Sequence, residues 1–252
     1  MATATDAATE TNTIIMQNYC KTIGALAAAS ALVAGTAKAE LEYSINGGFH
    51  KEYIFRGVDL GQSMTTAGFD VEGFSTLGFD LSAGIWHADF TALGANVAET
   101  DVYFEATRDL GFATLAIGYI KYIYDDNGGV GFIDDAQEVY FGLNKELYGI
   151  DTGLTYYWDI ETDNGGYAEL TLSKSYDLTD CLSLGIGVAQ GYGVEEGELA
   201  NLTTTATLDW AFTDSATLSP YVLYSVEGSE NVHYNNPNTQ ELVAGVNLSV
   251  SF

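Results

Sequence analysis

The sequence predicts an all-β protein, a closed antiparallel up-and-down β-barrel that crosses a membrane. Apolar and polar residues alternate with a period of two over segments of about ten residues, the length that a tilted strand needs to cross hydrocarbon. Short and long links alternate between these segments. The composition, with 17 Tyr, 28 Gly and 2 Pro, is also typical of strands and turns. We expect about twelve strands, with ten as the alternative.

The first 39 residues are predicted to be an N-terminal extension followed by a cleavable signal peptide. An apolar run, Ile23–Val33, follows the candidate start Met16 and leads to a small-x-small site that ends at Ala39. The run is too short to span a bilayer. An N-terminal helix of the folded protein is the alternative. Residues 40–252 are expected to form one barrel domain.

Alternation is sharpest in the last segment, where one face is apolar and the other small and polar. Leu242, Ala244, Val246, Leu248, Val250 and Phe252 share one face, and Val243 alone breaks the pattern. The expected strands are 41–55, 65–74, 76–88, 99–109, 112–124, 135–146, 149–159, 166–176, 181–191, 201–212, 215–226 and 240–252. In strand 112–124 the apolar phase would carry Lys121 outward, which requires a bulge or a position above the membrane.

The links sort by length from residue 109 onward. Those near 109–111, 146–149, 177–180 and 213–215 are short, whereas those near 125–134, 160–165, 191–200 and 227–239 are longer and acidic or rich in Gly. Outer-membrane barrels have short periplasmic turns and longer outer loops. Both termini then lie on the periplasmic side, so the number of strands is even.

The net charge of −27 excludes nucleic acid as a partner, because binding it requires basic groups that neutralise phosphates. Disorder is contradicted by 13% aromatic and 47% hydrophobic residues. The expected partners are outer-membrane lipid and lipopolysaccharide, with small cations or solutes as possible cargo. Cys181 is the only cysteine of the predicted mature part, so no intrachain disulfide is expected.

The chain ends on a strand whose last outward residues are Leu248, Val250 and Phe252. This ending resembles the C-terminal signal by which barrel-assembly machinery recognises its clients, and that machinery is therefore an expected partner. Aromatic residues near strand ends are expected to form interfacial girdles. They include Tyr53, Phe55, Trp86, Tyr122, Tyr124, Trp158 and Trp210.

The first strand ends in Tyr53-Ile54-Phe55-Arg56-Gly57. This segment resembles the Y-x-F-R-G signature of a largely uncharacterised family of bacterial outer-membrane barrels. The resemblance implies a fold and a membrane but no reaction and no settled substrate. Within the motif Phe55, Arg56 and Gly57, the arginine has two interpretations. It either faces an acidic lumen near the pore mouth, or it anchors a strand end by pairing with a loop carboxylate or lipid phosphate. The second is favoured.

The favoured function is a small cation-preferring channel or porin. Its expected lumen-facing acidic lining is Glu42, Asp80, Asp101, Glu105, Asp151, Glu169 and Asp209. A non-conducting structural or adhesive barrel is the first alternative, and a lipid-modifying enzyme is the less favoured one. His50, on the inward face with Ser44 and Asn46, is the only plausible lumenal catalyst. We expect no enzyme activity, no cofactor and no metal site.

Overall fold

A computed structural model of the chain describes residues 41–125, 135–161, 165–228 and 240–252. The predicted signal peptide and parts of three links lie outside these residues. The described chain forms twelve strands. They are β1 Glu42–Phe55, β2 Val58–Thr76, β3 Phe79–Ala92, β4 Ala95–Asp109, β5 Thr114–Asp125, β6 Ala136–Leu147, β7 Ile150–Asp159, β8 Tyr167–Thr179, β9 Leu182–Gly193, β10 Glu198–Thr213, β11 Ala216–Glu227 and β12 Gln240–Ser251.

Every strand pairs antiparallel with its neighbours in sequence, and β1 pairs with β12 to close the barrel. The closing pairs run from Ser44 opposite Ser251 to His50 opposite Gly245. At the end of the chain, Phe252 and Tyr43 exchange two backbone hydrogen bonds of 2.9 and 3.0 Å. The predicted fold, a closed barrel of twelve antiparallel strands, is confirmed.

The two faces of the sheet differ as the alternation predicts. Large apolar side chains point outward and are exposed, among them Ile45, Phe49, Ile85, Phe104, Leu154, Leu170, Ile186, Leu202, Trp210 and Leu248. Val243 points inward and is buried, which accounts for its place out of phase in the sequence. Lys121 lies in the outward phase, and the pairing of β5 with β4 and β6 has no bulge. It lies four residues before the end of β5 at Asp125.

The first third of the chain differs from the predicted strand boundaries. We expected a link after residue 55 and another between 88 and 99. Instead, two-residue turns with positive φ at both residues connect the strands, Arg56-Gly57 (49° and 90°) and Leu93-Gly94 (47° and 83°). Leu77-Gly78 and Tyr148-Gly149 repeat this geometry. Such turns match the twist of paired strands, and β2 and β3 are consequently longer than predicted.

The strand breaks from β4 onward follow the predicted order of short and long links at every link but one. The links 110–113, 148–149, 180–181 and 214–215 lie at the end that carries both termini, and the strands on either side of the longer links after β5, β7 and β11 meet at the opposite end. We call these the terminal end and the loop end of the barrel. The link expected to be long near 191–200 has only four residues, 194–197, because β9 and β10 both extend past their predicted ends. Within the described residues, no helix is long and apolar enough to cross a membrane.

We predict that Phe252→Ala lowers the yield of assembled barrel. The Phe252 ring stacks on Tyr43 with centroids 6.1 Å apart, and such ring pairs contribute about 0.5–1.5 kcal/mol. The substitution therefore weakens the pairing of β1 with β12, which closes the barrel. The measurement is the fraction that migrates as folded barrel on unheated SDS gels after export.

Leu147→Ala, at the exposed end of another strand, is the matched control and should assemble like the wild type. Equal folded fractions for Phe252→Ala and wild type would contradict a role of the last residue in assembly.

Candidate functional site

The seam between β1 and β12 is shorter than either strand. Pairing stops at His50 and Gly245, although β1 continues to Phe55 and β12 begins at Gln240. On its other edge, β2 pairs with β3 only from Gln62 onward. Residues 51–61 therefore form a hairpin whose two arms pair with each other and leave the barrel wall. We call residues 51–61 the inner hairpin.

The tip of the inner hairpin crosses the lumen. Arg56 donates two hydrogen bonds of 2.7 Å, from Nη1 and Nη2, to the two carboxylate oxygens of Glu138 on β6. Its guanidinium carbon lies 4.7 Å from the ring centre of Tyr157 on β7. In the closed order of strands, β7 is six places from β1 in either direction. The hairpin therefore reaches from one wall to the opposite wall.

Aromatic rings surround the Arg56 guanidinium. The centres of Tyr167 and Phe55 lie 4.4 and 4.8 Å from its central carbon, in addition to Tyr157. Cation–π contacts of this kind contribute about 2 kcal/mol or more where water is excluded. The side chains of Arg56 and Glu138 are 12% and 8% exposed. This is a buried, bidentate and caged ion pair.

Gly57 permits the close approach of the hairpin tip to β10. A Cβ atom at this residue would lie 2.5 Å from Cβ of Asn201, and its φ of 90° disfavours other residues. Asn201 is itself buried and accepts a 2.9 Å hydrogen bond from the Tyr167 hydroxyl. The Phe55-Arg56-Gly57 motif thus supplies a cage wall, a cation and a close packing point.

The arms of the inner hairpin are packed on both sides. Tyr53 contacts Trp86 and Phe90 of β3, with ring centres 6.1 and 5.2 Å apart. Ile54 lies in a separate buried cluster with Tyr221 and Leu223 of β11 and with Val243 of β12. Tyr53 and Ile54 therefore lie on opposite faces of the hairpin and are both buried, because the hairpin stands inside the barrel and is covered on both faces. The lumen at this level is filled by side chains.

Several aromatic residues expected in interfacial girdles lie in this filled level instead. Tyr53, Trp86 and Tyr122 are buried inside the barrel, and Tyr124 also points inward. Two of the tyrosine hydroxyls donate to carboxylates: Tyr122 donates to Glu138 and Tyr124 to Glu99, each at 3.0 Å. The girdle prediction is therefore wrong for these residues. Trp158 and Trp210 do point outward.

The seven acidic residues predicted to line the lumen lie in the inward phase of their strands but at different levels. Asp101, Glu105 and Glu169 are buried near the filled level, where Glu105 and Glu169 accept hydrogen bonds from Tyr140 and Tyr167. Glu42, Asp80, Asp151 and Asp209 lie nearer the terminal end. Of these, Asp80 accepts a hydrogen bond from Ser75, and Asp209 accepts one of 2.6 Å from Ser219.

Two buried carboxylates of the site, Glu99 and Glu138, were not among the predicted lining residues. Both lie in the inward phase of strands whose alternation is visible in the sequence, Glu138 with Gly142 and Asn144, for example. The alternation within 95–109 and 135–146 is the signal in the sequence that places both side chains on the inward face. The partner of Arg56 could not have been found in this way, because it lies 82 residues away on the far wall.

Arg56 is the only basic residue that faces the lumen in the part of the chain that the structure describes. The other five, Lys51, Arg108, Lys121, Lys145 and Lys174, occupy outward phases. The sequence favoured a strand-end anchor for Arg56, whereas the structure places it against an acidic lumen. One guanidinium thus lies among the carboxyl groups of Glu99, Asp101, Glu138 and Glu169.

Toward the terminal end, the lumen along β8 and β9 is lined by small residues and contains open space. A Cβ atom added at the inward-facing Gly187 would meet nothing within 4 Å. Ser173 faces inward on the neighbouring strand β8 and is nevertheless exposed. The barrel therefore has an accessible polar space at the terminal end, which we call the vestibule, and a filled level toward the loop end. Other inward residues of the terminal end, among them Thr107, Thr217 and Ser249, are buried. Across the described residues, no three His, Cys, Asp or Glu side chains are arranged to hold a metal ion.

The model of a family of bacterial proteins of unknown function, Gcw_chp, matches residues 34–222 of this sequence. The chain belongs to that family. Membership supports the resemblance to an uncharacterised bacterial family, and the role of Tyr53–Gly57 as a Gcw_chp signature stays a prediction. Among curated proteins, none matches the sequence.

Solved structures of outer-membrane barrels resemble the Gcw_chp barrel in fold. An outer membrane channel from Pseudomonas putida F1 is similar with a TM-score of 0.54 and 10% identity, over 88% of this chain and 100% of that one. The KdgM porin gives a TM-score of 0.49 at 14% identity, over 83% and 99% of the two chains. LpxR from Salmonella typhimurium gives 0.49 at 7% identity with the same coverage. At these identities the similarity concerns the fold alone.

We predict that Arg56→Ala destabilises the barrel by about 3–5 kcal/mol, because it leaves Glu138 buried without a cation. Arg56→Lys should recover only part of the loss, since an ammonium group cannot make the bidentate contact. Removing both charges with Arg56→Met and Glu138→Gln together should cost less than Arg56→Ala. The measurement is equilibrium unfolding by guanidinium in detergent micelles or bilayers.

Lys145→Ala is the matched control, because this basic residue lies on the outward face of β6 and is exposed. It should leave the free energy of unfolding within about 0.5 kcal/mol of the wild type. An Arg56→Ala barrel as stable as Lys145→Ala would contradict the buried ion pair.

Proposed function

We propose that this protein is a narrow outer-membrane channel that admits small cations. The observation that carries the proposal is the vestibule, an accessible polar space inside a closed barrel whose outer face is apolar. A small polar lining costs a hydrated ion little, whereas the apolar exterior suits lipid. Passage through the filled level then requires displacement of the inner hairpin from the lumen.

The cation preference follows from the sign of the lining charge. Inward carboxylates such as Asp151 and Asp209 in the vestibule face no basic side chain among the described residues, because Arg56 is engaged by Glu138. A cleft lined by one sign of charge concentrates the opposite ion. The negative field should therefore raise the local concentration of cations and repel anions.

The proposed location is the outer membrane, with its lipid and lipopolysaccharide as the surrounding partners and barrel-assembly machinery as the insertion partner. The similarity of fold to outer-membrane barrels and the outward ring of exposed apolar residues support this location. We propose no nucleic-acid partner, in keeping with the charge of −27.

We predict cation-selective conductance steps when the exported barrel is reconstituted in planar bilayers. In a potassium chloride gradient the reversal potential should have the sign of cation selectivity. Neutralising three vestibule carboxylates, with Asp80→Asn, Asp151→Asn and Asp209→Asn combined, should move the reversal potential toward zero. Reversal potentials of anion sign in the wild type would refute the cation preference.

The charge-conserving triple variant with Glu at the same three positions is the control. It should keep the selectivity of the wild type, because the field depends on charge rather than on the carboxylate's exact reach. A shift as large as that of the Asn variant would attribute the effect to altered packing.

A non-conducting structural or adhesive barrel is the second candidate, and the filled level favours it. The inner hairpin and its aromatic neighbours occupy the lumen from wall to wall. A barrel of this kind would give no conductance steps in any variant. Absence of steps in the wild type and in all variants of the inner hairpin would decide for this candidate.

We propose that the protein has no lipid-modifying activity. His50, the only plausible catalyst, has both ring nitrogens engaged, Nδ1 with the Tyr221 hydroxyl at 2.8 Å and Nε2 with Thr66 Oγ1 at 3.2 Å. It is fully buried at the point where the β1–β12 seam ends, which leaves no path for a lipid substrate. These contacts are typical of a structural histidine.

We predict that His50→Ala lowers barrel stability and leaves the lipid composition of the host outer membrane unchanged. Mass spectrometry of lipid extracts from cells that express wild type, His50→Ala or no barrel would measure the second outcome. His87→Ala, at a partly exposed outward histidine, is the control. A lipid species that appears with the wild type and disappears with His50→Ala would overturn the proposal.

A further inference from the structure

We infer that the inner hairpin is a hinged gate, held shut by the Arg56–Glu138 pair, that connects the vestibule to the loop end when it swings out. This inference rests on the proposed channel function and names how that channel is regulated. The geometry of the hairpin edges, the hinge, the latch and the space behind it carries the inference.

The edges of the hairpin are free of the barrel ladder. Beyond His50 the first arm has no pairing with β12, and before Gln62 the second arm has none with β3. The backbone groups of the two arms pair with each other as far as Phe55 and Val58. Swinging the hairpin out therefore breaks no strand pairing of the wall, and the barrel stays closed through the seven pairs from Ser44 to His50.

The hinge lies where regular pairing is interrupted on both arms. On the second arm, the β2–β3 register shifts between Gln62 and Thr65, and Ser63 between them has a φ of 57°. On the first arm, His50 is the last residue paired with β12, and its side chain is fixed to Thr66 and Tyr221. The wall side of the hinge is thus anchored, and the bend is confined to a few residues.

The contact that holds the gate shut, which we call the latch, is the Arg56–Glu138 ion pair at the tip of the hairpin. Arg56 makes the only ion pair of the inner hairpin with the wall of the barrel among the described residues, and the Tyr157 and Tyr167 rings enclose it. The flanks add apolar contacts of Tyr53 on one side and Ile54 on the other, and the Tyr53 hydroxyl is hydrogen-bonded to Glu99 of β4. Loss of the Arg56–Glu138 pair removes the only ionic contact with the far wall among the described residues and so weakens the hold on the tip, while the hinge stays anchored.

The vestibule lies on the terminal-end side of the inner hairpin, so displacement of the hairpin would open a continuous path through the barrel. The vestibule is accessible at Gly187 and Ser173, whereas the level of Arg56 is filled. Removal of the tip takes Phe55, Arg56 and Gly57 out of the lumen together. What remains at that level is a ring of wall tyrosines and carboxylates, which suits hydrated cations.

The first test releases the latch. Arg56→Ala and Glu138→Gln should each raise the fraction of time that single barrels spend open by about tenfold or more, the scale on which two-state equilibria respond to loss of a strong contact. Lys145→Ala is the control and should match the wild type. Glu138→Gln keeps the size of the side chain, so it stays informative where Arg56→Ala assembles poorly.

The second test locks the gate with its native latch intact. Ile54→Cys and Val243→Cys, in a Cys181→Ser background, place a thiol on the hairpin and one on β12 within the same buried cluster. A short reducible bis-methanethiosulfonate linker added during refolding should abolish the steps, and dithiothreitol should restore them. Either single-cysteine variant treated in the same way is the control.

A third readout follows the hairpin without reference to conductance. The buried thiol of Ile54→Cys should react with a charged methanethiosulfonate reagent about tenfold faster when Arg56→Ala or Glu138→Gln is also present. Faster labelling without any conductance would uphold the hinge and refute the channel. Equal labelling, with steps that neither latch variants nor cross-linking alter, would overturn the gate and leave the channel in place.

Discussion

The structure depends on one constraint, that backbone amides in lipid must find their partners within the protein. Twelve strands meet this constraint only because β1 and β12 pair and close the ladder. That closing seam is the shortest part of the wall relative to the strands that form it. The β1–β12 pairing covers Ser44–His50 of β1, and the remaining residues of β1 form the first arm of the inner hairpin.

The shortness of the seam leads directly to the filled lumen. A strand segment that leaves the wall would expose its backbone, so the two arms of the inner hairpin pair with each other. Burial of Arg56 at the tip would be costly without a partner, and Glu138 with its surrounding aromatic rings offsets that cost. The consequence is a barrel that is packed like the core of a soluble protein toward the loop end and keeps an accessible polar space toward the terminal end.

The sequence was sufficient to predict the wall of the barrel but not the inner hairpin and the side chains that fill the lumen. Alternation and link length predicted twelve strands, because lipid outside and polar groups inside impose a period of two on every wall strand. The same reasoning failed where the chain leaves the wall. Tyr53 and Ile54 lie on opposite faces of the inner hairpin and are both buried, whereas period-two reasoning assigns one of two consecutive residues to the lipid. Arginine as the first residue of a two-residue turn also concealed the hairpin, since Asn or Asp is the familiar signal there. Contacts between opposite walls, such as Arg56 with Glu138, depend on closure and leave no local trace in the sequence.

The contact between Gly57 and Asn201 has a consequence for how this fold can diverge. Gly57 lies in the turn between β1 and β2 and Asn201 lies on β10, and there is no room between them for one more carbon atom on the glycine. A larger residue at either position would lift the turn from the wall and draw Arg56 away from its carboxylate. Sequence drift at these two sites is therefore coupled by volume, and a homologue that enlarges one must shrink or displace the other to retain the occluded form.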